Sequence, residues 1–314
     1  MKVITLAGGI GGGKFARGLV RAVSPMDVTV VVNTGDDVTM HGLHVSPDLD
    51  SVTYWLGDSF DRERGWGRRD ETFRANEELA RFDPEAAWFG LGDLDLATHL
   101  YRTRLMAEGM ALSEVTARVA ARFEIASRIL PMSDEPVTTR VDVVSFGKEL
   151  DLHFQEYWVK RGARDEVKGV RFEGAPVSRP TPGVLDAIAT ADAIVLAPSN
   201  PVVSIGPILA VPGIREAVAS RREASVGVSG IVGGAPLGGM ADRLMPAVGI
   251  EVTAAGVADH YRSLISGFVI DERDRELAPR IEALGVRVAV LDTLMVDDGR
   301  AAAVAREALR LAGR

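Results

Sequence analysis

The 314-residue chain contains no cysteine, which excludes disulfides, Cys-ligated zinc, iron–sulfur clusters and a thiol nucleophile. Aromatic residues are scarce, at 6% against 33 glycines, so close approaches are expected to be made by backbone at turns. Lysine is nearly missing: Lys2, Lys14, Lys148, Lys160 and Lys168 are the five among 36 basic residues, and the rest are arginine. That skew accompanies abundant Ala, Val and Gly and fits a GC-rich genome, so a single arginine carries little functional weight. No stretch of about 18 residues is apolar without interruption, as a membrane span requires. The most apolar segment, 193–214, is broken by Pro198, Ser199, Asn200, Pro201, Pro207 and Pro212. The first twenty residues are too glycine-rich for a secretory signal and are cut by Lys14 and Arg17. A cytoplasmic protein is expected. The net charge of −8 argues against general nucleic-acid binding.

What is there suits one or two globular domains able to bury their own core, with 46% hydrophobic and 25% charged residues. Val3-Ile4-Thr5-Leu6 reads as a buried strand. It runs into a glycine-dense loop and then a helix with Phe15, Leu19 and Ala22 on one face. A second β-branched strand, Val28–Val32, completes a βαβ unit. Strands of the same type are expected at 193–196, 225–228, 267–270 and 286–290, with helices near 213–220, 239–247 and 299–311. The middle differs, with helical patterning over about 70–128 and β-like patterning at 138–146 and 167–172. The fold class expected is α/β, a doubly wound, mostly parallel, Rossmann-like sheet with a large α+β insertion covering the active site. Residues 1–60 and 181–314 would form the nucleotide-binding core, and 61–180 an inserted lobe capping its carboxyl edge.

Four groups of residues carry chemistry. Gly8, Gly9, Gly11, Gly12, Gly13 and Lys14 stand where backbone amides at a helix N-terminus cradle an anion. Phe15 occupies the place of the magnesium-holding hydroxyl of a P-loop, which argues against an ordinary ATPase or kinase. The same glycines fit a dinucleotide fingerprint, with Asp36 downstream, or a plain tight turn. Beyond the second strand, Asn33-Thr34-Gly35-Asp36-Asp37 and Ser46-Pro47-Asp48-Leu49-Asp50 put four carboxylates at the ligand edge of the sheet. Asp36, Asp37, Asp48 and Asp50 are therefore candidates for Mg2+, and any of them for a general base; the plainer alternative is turn and cap residues. His41 and His44 lack a third nitrogen or sulfur ligand nearby, and His99 reads as structural. Trp88 and Phe89 are either a platform for a planar ring or a core-facing pair. Ser199 and Asn200, in a proline-shaped loop after a strand, offer polar groups to a nucleotide.

In this order these segments resemble the 2-phospho-L-lactate transferase family of coenzyme F420 biosynthesis. So do Trp88-Phe89-x-Leu91-Gly92-Asp93, Ile129-Leu130-Pro131-Met132-Ser133-Asp134, Phe154-Gln155-Glu156-Tyr157-Trp158-Val159 and Pro198-Ser199-Asn200-Pro201-x-x-Ser204-Ile205-Gly206-Pro207. The resemblance covers about residues 7–271. It implies a magnesium-dependent transferase that moves a phospholactyl or phosphoenolpyruvyl group from a guanosine diphosphate-linked donor (LPPG or EPPG) to the hydroxyl of the deazaflavin Fo, releasing GMP. In one departure, Ile10-Gly11-Gly12-Gly13 lacks the threonine that the family often carries among these glycines, which removes a hydroxyl contact but not the backbone cradle. On this resemblance Asp48 and Asp36 are the catalytic candidates, and Lys14 would offset charge on the donor. Asn33, Thr34, Gly35, Ser199 and Asn200 would contact the nucleotide, and Trp88, Phe89 and Met132 the deazaflavin. The arginine-rich composition associates with an actinobacterial source and so with enolpyruvate, although no motif separates the two donors. A homodimer is compatible with this reading. Two alternatives stand beside it: a non-catalytic nucleotide-sugar-binding regulator of the gluconeogenesis-factor type, and an NAD-dependent oxidoreductase.

Overall fold

The computed structural model describes residues 1–85 and 88–313. Its centre is a seven-stranded parallel sheet made of β1 (Val3–Ala7), β2 (Val28–Val32), β5 (Arg128–Pro131), β9 (Ala193–Leu196), β10 (Ser225–Val228), β13 (Gly267–Asp271) and β14 (Arg287–Leu291). Every residue of β1, β9, β10 and β13 is buried, as expected of strands covered on both faces. The spatial order is β14-β13-β10-β9-β1-β2-β5. The chain thus builds outward from β1 to β5 and then returns to lay β9 on the other side of β1. The gap between the carboxyl ends of β1 and β9 is the point where the order reverses, and open α/β sheets bind ligands at such a point.

The glycine-dense segment is helix, not loop: α1 spans Gly9–Ala22. It packs between α2 (Pro47–Leu56) and the terminal helix Asp298–Ala312. Close packing there is what the glycines permit. A Cβ on Gly12 would lie 2.7 Å from Ser199 Oγ, and one on Gly11 would lie 2.6 Å from the Pro198 carbonyl oxygen. On Gly18 a Cβ would collide with the Ala301 backbone carbonyl.

Two excursions leave the carboxyl edge. The first carries the hairpin β3 (Val38–Met40) and β4 (Leu43–Val45), then α2, and then α3 (Arg74–Phe82), α4 (Asp93–Ala107) and α5 (Leu112–Arg122). The second is an antiparallel sheet of β6 (Thr138–Ser145), β7 (Lys148–His153) and β8 (Glu166–Glu173), in the order β7-β6-β8. β6 alternates buried and half-buried residues along its whole length, so one face joins the main core through Val141 and Val143. Between the two excursions β5 returns to pair with β2. The expected inserted lobe, 61–180, therefore contains a strand of the central sheet and is not one continuous insertion. A small hairpin, β11 (Ile231–Val232) with β12 (Ala235–Pro236), follows β10. Among the described residues no single helix is long and apolar enough to cross a membrane. The most apolar pair, Pro201–Ala210 and Ile214–Ser220, is bent by 94°, and its Ile208, Leu209, Ile214 and Val218 lie in the main core.

Gly18→Ala is expected to lower stability by about 1–3 kcal/mol, the usual cost of overpacking a tight contact. Denaturant unfolding reads this directly, and an unchanged midpoint would mean that α1 and the terminal helix separate without cost.

Candidate active site

Asn33 follows the last residue of β2 and is held in register by its own N–H, which donates to the Ala7 carbonyl at 3.1 Å. Its side chain is wholly buried. Asn33 Oδ1 accepts the Gly35 N–H at 2.8 Å. Asn33 Nδ2 faces three acceptors: Asp36 Oδ1, Asp48 Oδ2 at 2.9 Å and the Val203 carbonyl at 3.2 Å. An amide nitrogen has two hydrogens. Two carboxylates and a carbonyl therefore compete for two donors, and an acidic oxygen is left wanting a proton or a cation.

Asp48 reaches this point because Pro47 opens α2 and sets Asp48 in its first turn, 6% exposed. Its carboxylate stands against Gly8 and Gly9 at the open end of α1, where a Cβ on Gly9 would lie 3.4 Å from Oδ1. Burial raises the Asp48 pKa to about 7; the Asn33 hydrogen bond and the Gly9 amide pull it down, and the charge of Asp37 pushes it up. Asp36 is also raised well above the usual carboxylate range, first by burial and next by the charge of Asp48. Gln155, beyond β7, donates from Nε2 to Asp36 Oδ2 at 3.4 Å.

The other two aspartates are committed elsewhere. Asp37 Oδ2 accepts from Ser46 Oγ at 2.7 Å and lies 2.8 Å from His44 Nε2, leaving Oδ1 buried without a partner. His153 Nε2 lies 3.1 Å from the Asp37 carbonyl. Asp50 is gripped through both oxygens by the fully buried Arg102, with Nη1 3.1 Å from Oδ2 and Nη2 bonded to Oδ1. His99 lies beside this pair, and burial drives its pKa down to about 4, so it is neutral and structural. Of the four metal candidates, Asp36 and Asp48 converge on Asn33, while Asp50 is the partner of an arginine and Asp37 that of a histidine and a serine. Among the described residues no three His, Cys, Asp or Glu side chains form a metal-holding group. A two-carboxylate site still fits magnesium, which takes one or two carboxylates and fills its shell with water and phosphate oxygens.

Several other expected contacts move. The amides of Gly9, Ile10 and Gly11 are at the open first turn of α1, while Gly12 and Gly13 are inside the helix and serve close packing against Ser199 and Trp55. Lys14 stands over the Trp55 indole, its ammonium 5.8 Å from the ring centre. Burial and then the charge of Arg62 lower its pKa. Ser199 Oγ accepts the Gly8 N–H at 3.1 Å and donates to the Gly8 carbonyl at 2.8 Å, so it joins the loops after β1 and β9 and is not a free nucleotide ligand. Asn200 Oδ1 caps the following turn through the amides of Val202 and Val203. Asn33 is saturated by its carboxylates, and Thr34 Oγ1 is buried with no partner. Gly35 packs against Thr139, whose hydroxyl oxygen would be 2.6 Å from a Cβ there. Met132 is wholly buried in the main core and cannot meet a ring. Trp88 and Phe89 form an edge-to-face pair, 5.7 Å between centres, in a small cluster with Met40, Val45 and Leu91. Both are half-buried, so they remain at the margin of the first excursion. Arg102 and Gln155 received no role from sequence; only the FQEYW motif marked the neighbourhood of Gln155.

A family model described as 2-phospho-L-lactate transferase CofD matches residues 3–306. The phosphoenolpyruvate transferase of Streptomyces griseus subsp. griseus is 51% identical over 313 residues, covering 99% of this chain and 98% of that protein. The one from Streptomyces coelicolor is 50% identical over 313 residues, with the same coverage. The one from Mycolicibacterium smegmatis is 42% identical over 329 residues, covering 100% of this chain and 99% of that protein. Among solved structures, protein BH3568 of Bacillus halodurans superposes with a TM-score of 0.59 over 93% of this chain and 92% of that chain. At 19% identity this is a likeness of fold alone.

The raised Asp48 pKa has a definite sign for stability. Between the 3.8 of a free aspartate and about 7, the folded chain holds a proton that the unfolded chain has lost. The contribution of this group is therefore lost as pH rises through that window. With chelator present, Asp48→Asn should gain on the wild type in unfolding midpoint between about pH 4 and about pH 7. A difference that stays constant with pH would show an ordinary carboxylate at position 48.

Proposed function

Because this chain belongs to the 2-phospho-L-lactate transferase CofD family, we propose that it moves a phosphoenolpyruvyl group from a guanosine diphosphate-linked donor to the deazaflavin Fo. It is a transferase of coenzyme F420 biosynthesis. The preference for enolpyruvate over lactate rests on relatives near 50% identity that carry the name phosphoenolpyruvate transferase. The observation that carries the reaction chemistry is the convergence of Asp36 and Asp48 on one amide nitrogen beside the open end of α1.

The transfer is a displacement at phosphorus. The terminal ribityl hydroxyl of Fo attacks the phosphorus nearer the enolpyruvyl group and a new P–O bond forms. The bond from that phosphorus to the bridging oxygen breaks, and GMP leaves with the bonding pair. The hydroxyl loses its proton. Asp48, held 2.9 Å from Asn33 Nδ2 beside the open end of α1, is the proposed acceptor of that proton. Asn33 orients both carboxylates, and Gln155 holds Asp36 from the other side. The amides of Ile10 and Gly11 supply donors for phosphate oxygens, aided by the helix dipole, while that of Gly9 serves Asp48. Asp36 and Asp48 would hold Mg2+ together with the donor diphosphate, and the ion would supply counter-charge to the phosphates. The half-buried Trp88 and Phe89 are the proposed aromatic surface for the deazaflavin. The proposed partners are small molecules only, in a cytoplasmic setting; assembly into a homodimer is a separate proposal tested by mass in solution.

Asp48→Asn is expected to slow turnover at least about a hundredfold, the usual scale of a general base, while leaving GDP affinity within about threefold. Unchanged turnover would remove Asp48 from the proton transfer. Incubation of the chain with Fo and each donor separately, followed by mass measurement of the product, tests the reaction itself. The enolpyruvyl product is expected, and it should fail to form in chelator and return with magnesium. A lactyl product alone would reverse the donor assignment.

A further inference from the structure

The geometry points to Arg102 as a positioning residue for Asp48, acting through Asp50; the assignment rests on the transfer proposed above. Arg102 lies on α4, more than fifty residues from the aspartate it grips, and is 2% exposed. Its guanidinium meets both Asp50 oxygens in a two-pronged fork. Such a fork fixes direction as well as distance, which a point charge does not.

The same face of α4 holds the neighbouring segment at two further points. His99, Arg102 and Thr103 are spaced to lie side by side on one helix face. Thr103 Oγ1 accepts the His44 N–H at 2.8 Å, and His99 Nδ1 lies 3.7 Å from Asp50 Oδ2. His44 in turn lies on Asp37, which also receives Ser46 Oγ. Ser46 accepts the Asp50 N–H through its carbonyl at 2.9 Å. The first turn of α2 is thus tied at its start through Ser46 and at its fourth residue through Asp50.

Asp48 sits between those ties. Residues two apart on a helix point in nearly opposite directions, about 200° around the axis. Asp50 therefore faces α4 while Asp48 faces Asn33 and the open end of α1. Any rotation of α2 that loosens Asp50 from Arg102 swings Asp48 away from its 2.9 Å contact with Asn33. Arg102 touches neither of the converging carboxylates, yet it sets the rotation that brings one of them into place. A misplacement of about 1 Å at a reacting group costs on the order of a hundredfold in rate.

The test separates positioning from packing. Arg102→Met strands a buried carboxylate and is expected to destabilise the chain. The double variant Asp50→Leu/Arg102→Met replaces the pair with apolar groups, and such replacements commonly restore stability. The expected result is an unfolding midpoint regained in the double variant but a kcat still lower by about a hundredfold, with KM for donor and Fo within about threefold. Arg102→Lys keeps the charge without the fork and should recover only part of kcat. Amide hydrogen exchange gives a readout independent of turnover: protection at residues 47–50 should fall in the double variant, while β1 and β2 keep theirs. Wild-type kcat or wild-type protection of α2 in the double variant would overturn the assignment and leave Arg102 a packing residue. Should the wild type transfer nothing to Fo, the proposed reaction fails, and the exchange comparison still decides the role of Arg102.

Discussion

Two carboxylates of like charge, Asp36 and Asp48, are buried against a single asparagine amide, and much of the chain is arranged around keeping them there. Burying an ionised group without compensation costs far more than a domain's whole margin of stability, so such groups take protons, cations or hydrogen bonds. Here the protein supplies fewer donors than there are acidic oxygens; burial raises both pKa values, and the charge of Asp48 raises that of Asp36 further. The deficit sits at the carboxyl edge of β1, β2 and β9, where a phosphate-bearing ligand with its counter-ion can make it good. Asp50 is the opposite case, gripped through both oxygens by Arg102, while Asp37 is held by His44 and Ser46 through one oxygen only. Each has a dedicated protein partner, and those partners hold the frame on which the other two acids are mounted.

The glycines of α1 belong to the same arrangement. Gly8 bonds both ways with Ser199, and a Cβ on it would collide with the Asp48 carboxylate and lie 2.7 Å from Ser204 Cβ. Gly11 and Gly12 let the helix lie directly on the loop that follows β9. The helix is consequently seated deep at the reversal point of the sheet, with its first amides beside Asp48. A side chain at these positions would move the helix away from the acids as well as hold a phosphate off the amides. On the proposed function, tight packing and ligand approach are two uses of the same missing methyl groups.

Most of the central sheet was legible because its strands are short β-branched runs bounded by glycine, proline or asparagine; Val28–Val32 and Ala193–Leu196 are examples. β5 was not, since Arg-Ile-Leu-Pro is too brief to show a period and ends in proline. β7 was not, because Lys-Glu-Leu-Asp-Leu-His buries only Leu152 and looks like a polar connection. At the site, Asp36 and Asp48 stood out because acids follow a strand close to a glycine segment. Which acids would be bare was illegible, since the answer lies in Arg102 on α4 and Gln155 beyond β7. Long-range pairing of that kind leaves no periodic trace. Met132 illustrates the converse: a motif position near the site in sequence whose side chain points into the core.

The division of the four aspartates follows from charge economy in a closed space. Four bare carboxylates within fifteen residues would repel one another strongly at low dielectric, and a single bound divalent ion could not offset them all. Committing Asp50 to Arg102 brings one fixed positive charge into the cluster, and the influence of Arg102 reaches Asp37 as well. What converges on Asn33 is a pair, matched in charge to one divalent cation. The arginine that neutralises the frame is thereby also what leaves the site with the charge its chemistry needs. Removing Arg102 would therefore both free the rotation of α2 that places Asp48 and leave an uncompensated charge on the buried Asp50.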